Sequence, residues 1–288
     1  MMLHHHRLVR AITVVLAAAF ATNAHADEQF DEAAGATTDG HHASSDRFHF
    51  TTIRAWAYRN FLPKGDDADV LGFEFNSAWS WGDYDVTNIS YFEIAKYPRA
   101  IPGWPIGNVG DPNDPSNFMA ADGISDFLTA FLFSKKGGHE GPHHFSYGFS
   151  AQFPTAHDDS LGSGKWSVGP AIEYEYERGR FFAAFVALQL WSVAGDDNRK
   201  DVSMLMVKPM VTYELDNRWK LIYMPYGISH YWNKASGQKT YVPLGGGLQY
   251  GFRLNRANMA ASLQAFKYVV RPDKGPEHEI RLMLEFNY

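Results

Sequence analysis

The 288-residue sequence predicts an all-β fold, a transmembrane antiparallel β-barrel of about twelve strands. Three observations carry this: apolar residues recur at every second position in one segment after another, connections alternate between long and short, and no apolar run is long enough for a spanning helix. Hydrophobic residues are 45% of the chain and aromatics 15%, yet mean hydropathy is negative. The apolar side chains are thus diluted along the chain. No stretch approaches the roughly 18 consecutive apolar residues of a membrane helix, which excludes a helical inner-membrane protein.

Taken in chain order, residues 1–26 read as a signal peptide. His4, His5, His6, Arg7 and Arg10 form a basic opening, Ala11 to Ala21 is an apolar run too short to span, and Ala24-His25-Ala26 is an A-x-A cleavage site before Asp27. Without Arg7 and Arg10, 24 basic residues face 32 acids, a charge of about −8 that offers no face for nucleic acid. Residues 27–46 are acidic, small and polar and predict a flexible periplasmic N-terminus. The adjacent His41 and His42 read there as solvated side chains. With no cysteine, thiolate metal sites and cysteine nucleophiles are excluded, and neither a metal nor a cofactor is expected.

Residues 47–288 carry the barrel. LGFEFNSAWSW sets Leu71, Phe73, Phe75, Trp79 and Trp81 against Gly72, Glu74, Asn76 and Ser80, and FSYGFSAQF sets Phe145, Tyr147, Phe149 and Phe153 against Ser146, Gly148, Ser150 and Gln152. WSVGPAIEYEYE and VPLGGGLQYGFRL repeat the period of two, the signature of half-buried strands. About twelve such segments begin near Phe48, Leu71, Tyr84, Gly123, His144, Trp166, Arg180, Val202, Trp219, Thr240, Ala257 and Glu277. Odd-numbered connections are long and polar, as in RNFLPKGDDAD, residues 96–122, PTAHDDSLGSGK and SVAGDDNRKD. Even-numbered ones are mostly tight (WGD, ERG, DNR, NRAN), with KKGGHEGP the exception. Short turns on one side and long loops on the other are the pattern of an outer-membrane barrel.

The cost of charge on a lipid-facing surface, about 2 to 4 kcal/mol for Lys or Arg at the midplane, assigns the faces. Glu74, Gln152, Glu173, Glu175, Gln249, Gln264, Arg281 and Glu285 are expected to line the lumen, while Trp79, Trp81, Trp166, Tyr174, Tyr176 and Trp219 form interfacial girdles. Arg54 and Glu93 share faces with Trp56 and Ile89, which leaves the first and third strands unoriented. The final strand alternates Ile280, Leu282, Leu284, Phe286 and Tyr288 with polar residues and is expected to close on the first, since an open edge is not tolerated in lipid. Its ending on Phe286 and Tyr288 resembles the terminal signal that the barrel-assembly machinery reads.

From Gly123 onward the chain resembles the outer-membrane β-barrel family labelled for the meta-pathway of phenol degradation. The matching stretches are GISDFLTAF, LGSGKWSVGPA, LWSVAGD, KPMVTYEL, VPLGGGLQYGF and VVRPDKGPEHEIRL, in that order. The segment before the fourth strand is longer than the family pattern, and residues up to about Tyr97 match it weakly. The resemblance implies a transporter-like barrel and, as an expectation, a channel or uptake porin for small organic solutes, aromatic or hydrophobic. The expected surroundings are outer-membrane lipid and lipopolysaccharide.

LGSGK is no phosphate-binding loop, because Lys165 precedes Trp166 and a strand instead of Ser or Thr and a helix. The carboxylates of HDDSLGS and AGDDNRKD suit Ca²⁺, but solvated loop charge is the simpler account. Two alternatives stand beside the channel. One is a structural or adhesive barrel acting through its loops. The other is a barrel-embedded lipid hydrolase using Ser229 with His230 or Ser160 with His157; Ser229 and His230 point to opposite faces of one strand, so no enzyme is expected.

Overall fold

The computed structural model describes residues 48–98, 120–137, 141–234, 236–254 and 257–288. The expected signal peptide, the N-terminus to residue 46 with His41 and His42, and most of the long segment before the fourth strand lie outside them. The strands are β1 (His49–Phe61), β2 (Asp67–Trp81), β3 (Tyr84–Tyr97), β4 (Ala121–Ile124), β5 (Phe127–Lys135), β6 (His143–Phe153) and β7 (Lys165–Arg178). They continue with β8 (Phe181–Gly195), β9 (Ser203–Glu214), β10 (Trp219–Tyr223), β11 (Ile228–Tyr231), β12 (Thr240–Leu254), β13 (Ala257–Val270) and β14 (His278–Asn287).

Every neighbouring pair is antiparallel, and the sheet closes on itself. β14 pairs with β1 from Thr52↔Asn287 to Phe61↔His278, so no edge is left in the wall. β10 and β11 both pair with β9 on one side and β12 on the other; they are two halves of one wall strand. β4 only extends the β3 ladder. The wall therefore has twelve strand positions, as the periodicity predicts.

Strand bounds differ from the sequence reading at two places. β1 and β2 extend through most of RNFLPKGDDAD, shrinking that connection to residues 62–66, and the segment at Gly123 is β4 while the wall strand starts at Phe127. Two ends can be told apart. At the turn end lie the tight connections, such as that at Gly82 with φ 60°, together with residues 48 and 288. The longer connections gather at the opposite loop end.

Alternation sorts the side chains as predicted. Phe145, Tyr147, Phe149, Leu244, Leu263, Ile280 and Leu282 are exposed on the outside, a continuous apolar surface that a water-soluble monomer does not carry. Trp81, Trp166 and Trp219 are exposed near strand ends, where interfacial aromatics belong. The buried core sits inside the barrel. Tyr97, Tyr231, Tyr241, Leu161, Leu190, Met204 and Met206 are almost fully buried and fill the loop-end half, as side chains fill other barrels of modest size.

Candidate functional site

The turn-end half of the lumen is hollow. A cavity of about 710 Å³ runs from Asn217, Arg218 and Tyr288 at the mouth to Tyr91, Leu188 and Met224 at mid-height. None of the described residues that line it belongs to a loop-end connection. Its walls mix apolar groups (Leu128, Phe182, Val186, Leu188) with charge.

Of the eight residues expected to line the lumen, Glu74, Glu173, Glu175, Gln249 and Glu285 face this cavity. Gln152, Gln264 and Arg281 are buried and occupied elsewhere in the molecule. Gln152 Nε2 donates to Asp126 Oδ2 (2.9 Å), a carboxylate that also accepts from the Ser163 N–H (2.7 Å) and hydroxyl (2.8 Å). This polar knot fixes the β6–β7 connection at the loop end. Gln264 and Arg281 hold the cavity floor.

Arg54 and Lys208 are the groups that sequence reasoning missed. Arg54 donates from Nε to Glu285 Oε2 and from Nη1 to Glu74 Oε1, both at 2.6 Å, and Lys208 Nζ donates to Glu74 Oε2 at 2.6 Å. β2 and β9 are six of twelve wall positions apart, so the Glu74–Lys208 pair crosses the whole lumen. Two cations and two anions cancel, as nearly buried charges must if they are to remain ionised. Lys208 also stands 4.7 Å from the ring centre of Tyr91 and 5.7 Å from that of Trp56, within cation–π range. Trp56 lies flat over Gly72, its partner on β2, where any Cβ would collide with the indole. On another wall, Glu173 and Glu175 share the inward face of β7, and His144 Nδ1 is 3.3 Å from Glu175 Oε2.

The floor is a length of backbone. Between β10 and β11, residues 224–227 leave the ladders and bow into the lumen. Gln264 Oε1 on β13 accepts from the Met224 N–H (3.0 Å), and Arg281 Nη1 on β14 donates to the Met224 carbonyl (3.2 Å). These side chains replace ladder bonds that the segment has given up, and buried backbone groups need such partners. The Tyr226 hydroxyl meets that of Tyr91 at 2.5 Å and donates to Glu93 Oε2 (3.2 Å), whose other oxygen accepts from Tyr58 (2.8 Å). Glu279 accepts from Arg281 Nε (2.8 Å) and Tyr268 (2.7 Å). Together these groups form a hydrogen-bonded disc across the barrel.

Elsewhere, His230 Nδ1 is bonded to Thr240 (2.8 Å), and Ser229 is buried on the other face of β11. Among the described residues no group of three or more His, Asp or Glu is placed to hold a metal ion.

No family model and no curated protein matches the chain. Among solved structures it is similar to an outer membrane channel from Pseudomonas putida F1, with a TM-score of 0.57 and 12% identity over 87% of this chain and 98% of that one. It is more distantly similar to the β domain of the Bordetella autotransporter BrkA (TM-score 0.38, 12% identity, 83% and 99% covered) and to a FadL homologue from Pseudomonas aeruginosa (0.37, 11%, 85% and 76%). The first likeness spans nearly all of both chains and shows a common fold, so the chain adopts a closed antiparallel barrel of the outer-membrane type.

Proposed function

We propose that this barrel is an outer-membrane channel for the uptake of small organic solutes, and that the half-lumen cavity is its solute site. The observation that carries this reading is the cavity itself: about 710 Å³ of space with apolar walls and a few charged groups, a size and character usual for small-molecule sites. Short turns of such barrels face the periplasm. The cavity then opens inward, the disc built on Tyr226 closes it toward the outside, and passage requires residues 224–227 to move. Phe182, Val186 and Leu188 suit an aromatic or hydrophobic solute better than a sugar, in keeping with the phenol-pathway resemblance. The fold shared with the P. putida channel supports the same reading. In the membrane, the exposed aromatic surface meets lipid, the loop end meets lipopolysaccharide, and the strand ending Phe286 and Tyr288 is offered to the assembly machinery.

A sealed barrel that acts through its loops is the second reading, favoured by the filled loop-end half. Single-channel recording of refolded residues 27–288 in a planar bilayer separates the two. Discrete openings that an aromatic carboxylate blocks and a sugar does not are expected; a folded, heat-modifiable barrel that never conducts would overturn the channel.

A further inference from the structure

We infer that Lys208 is the gating residue of this channel: its ammonium bars the lumen while paired with Glu74, and clears it by swinging along the wall to Glu173. As a statement about passage this rests on the uptake reading, though the two positions of the side chain are a property of the cavity alone.

Charge in the cavity is shared unevenly. Glu74 accepts from two cations, Lys208 and Arg54, each at 2.6 Å, and Arg54 also holds Glu285 at 2.6 Å. Glu173 lines the same cavity and is only 9% exposed, with the Ser146 hydroxyl beside it. Among the described residues no cation is paired with it; His144 is placed on Glu175 instead. A nearly buried carboxylate in this state is costly, while a lysine of the same wall is turned away from it.

The register puts that lysine within reach. Lys208 on β9 pairs with Val186 on β8, and Val186 pairs with Glu173 on β7. All three side chains face the cavity. Lys208 and Glu173 therefore stand in one row, two strand spacings or about 10 Å apart at the backbone. A lysine and a glutamate laid toward each other close that distance, because the lysine stem is long and flexible. The valine between them is an apolar bed for the stem. Glu74 is reached only across the lumen, since β2 stands on the opposite wall.

The exchange also conserves charge pairing. With Lys208 on Glu74, the carboxylate in excess is Glu173. With Lys208 on Glu173, Arg54 keeps both Glu74 and Glu285, and the excess is spread over those two. Each arrangement holds the same number of ion contacts, so neither wins by the full worth of a buried pair, as a two-position element requires. Contacts with the Tyr91 and Trp56 rings are given up in the swing and favour the barred position at rest. The Tyr91 hydroxyl meets that of Tyr226, so the bar lies directly beneath the disc, and its withdrawal uncovers the ring that latches residues 224–227.

A water-soluble carbodiimide joins a carboxylate to an amine only where the two touch, leaving an amide that mass spectrometry of the digested barrel locates. Refolded residues 27–288 in liposomes should yield Lys208 joined to Glu74 and, in a minor fraction of molecules, to Glu173. Glu74→Gln should raise the second product on the order of tenfold. Glycine amide in a parallel sample caps Glu173 from the open mouth of the cavity and so reports that the reagent arrives. Glu173 capped there but never joined to Lys208, in the wild type and in Glu74→Gln, would overturn the gate. Channel recording supplies the second measurement. Glu74→Gln and Glu173→Gln remove the same charge from the same cavity, yet the first should lengthen openings and the second shorten them; shifts in one common direction would also overturn it. A barrel that never conducts but yields both products would sink the uptake reading and leave the swing of Lys208. A conducting barrel whose Lys208 joins only Glu74 would do the reverse.

Discussion

Replacing Lys208 with Met tests whether the charge cluster that crosses the lumen holds the two walls together. Lys208 and Glu74 meet at 2.6 Å with side chains 14% and 4% exposed, so removal of one partner strands a nearly buried charge. Losses of about 3 to 5 kcal/mol are typical for breaking such a pair. The low end applies here, because Arg54 still holds Glu74 at 2.6 Å and the cavity lets water reach the site. A loss of about 3 kcal/mol lowers the folding constant roughly a hundredfold. Lys208→Met with Glu74→Gln leaves the Arg54–Glu285 pair intact and neutral surroundings, so the double variant should recover most of the loss, with a coupling of about 2 kcal/mol. Urea unfolding of the refolded barrel in liposomes, followed by tryptophan fluorescence and extrapolated linearly, measures all four corners of the cycle. A single variant within about 0.5 kcal/mol of the wild type, or additive effects, would show that the cross-lumen pair is held by the barrel and not the reverse.

The remaining predictions concern other walls of the same cavity. Glu175→Lys should move the reversal potential of the open channel toward anions, since charge lining a pore sets its selectivity; an unchanged potential would place Glu175 outside the conduction path. Gly72→Val drives a branched side chain into the Trp56 indole and should cost about 1 to 3 kcal/mol by overpacking. Adding Trp56→Leu should return part of that loss, and unfolding midpoints that do not respond to either change would mean the indole is free to move away.

Alternation and loop length made the barrel legible in the sequence, because both follow from local chemistry: a period of two and a cost for charge in lipid. Orienting β1 and β3 was beyond that reach. Arg54 and Glu93 look misplaced beside Trp56 and Ile89 until their partners appear: Arg54 meets Glu74 on β2 and Glu285 on β14, and Tyr226 reaches Glu93 from across the lumen. Nothing within either strand announces those contacts. Gln152, Gln264 and Arg281 show a related limit, since alternation tells which side of the wall a residue faces but not whether another part of the chain already occupies that space. The break in the wall did leave a signal. MPYG places Pro225 and Gly227 inside what otherwise reads as one strand from Trp219, and such residues mark a strand that leaves its ladder.

The seam between β1 and β14 has a consequence for how the barrel comes to exist. Thr52 and Asn287 bond across 235 positions of sequence, and such distant pairings are late and slow to form. Until the final strand arrives, β1 offers a row of unpaired backbone groups that can template on other chains, Arg54 lacks Glu285, and the Phe286 slot against Ile53 and Met259 is empty. Docking of β14 settles all three in one step. The hazardous period for this chain is thus the interval before its last strand docks, when the first must be kept apart from strangers.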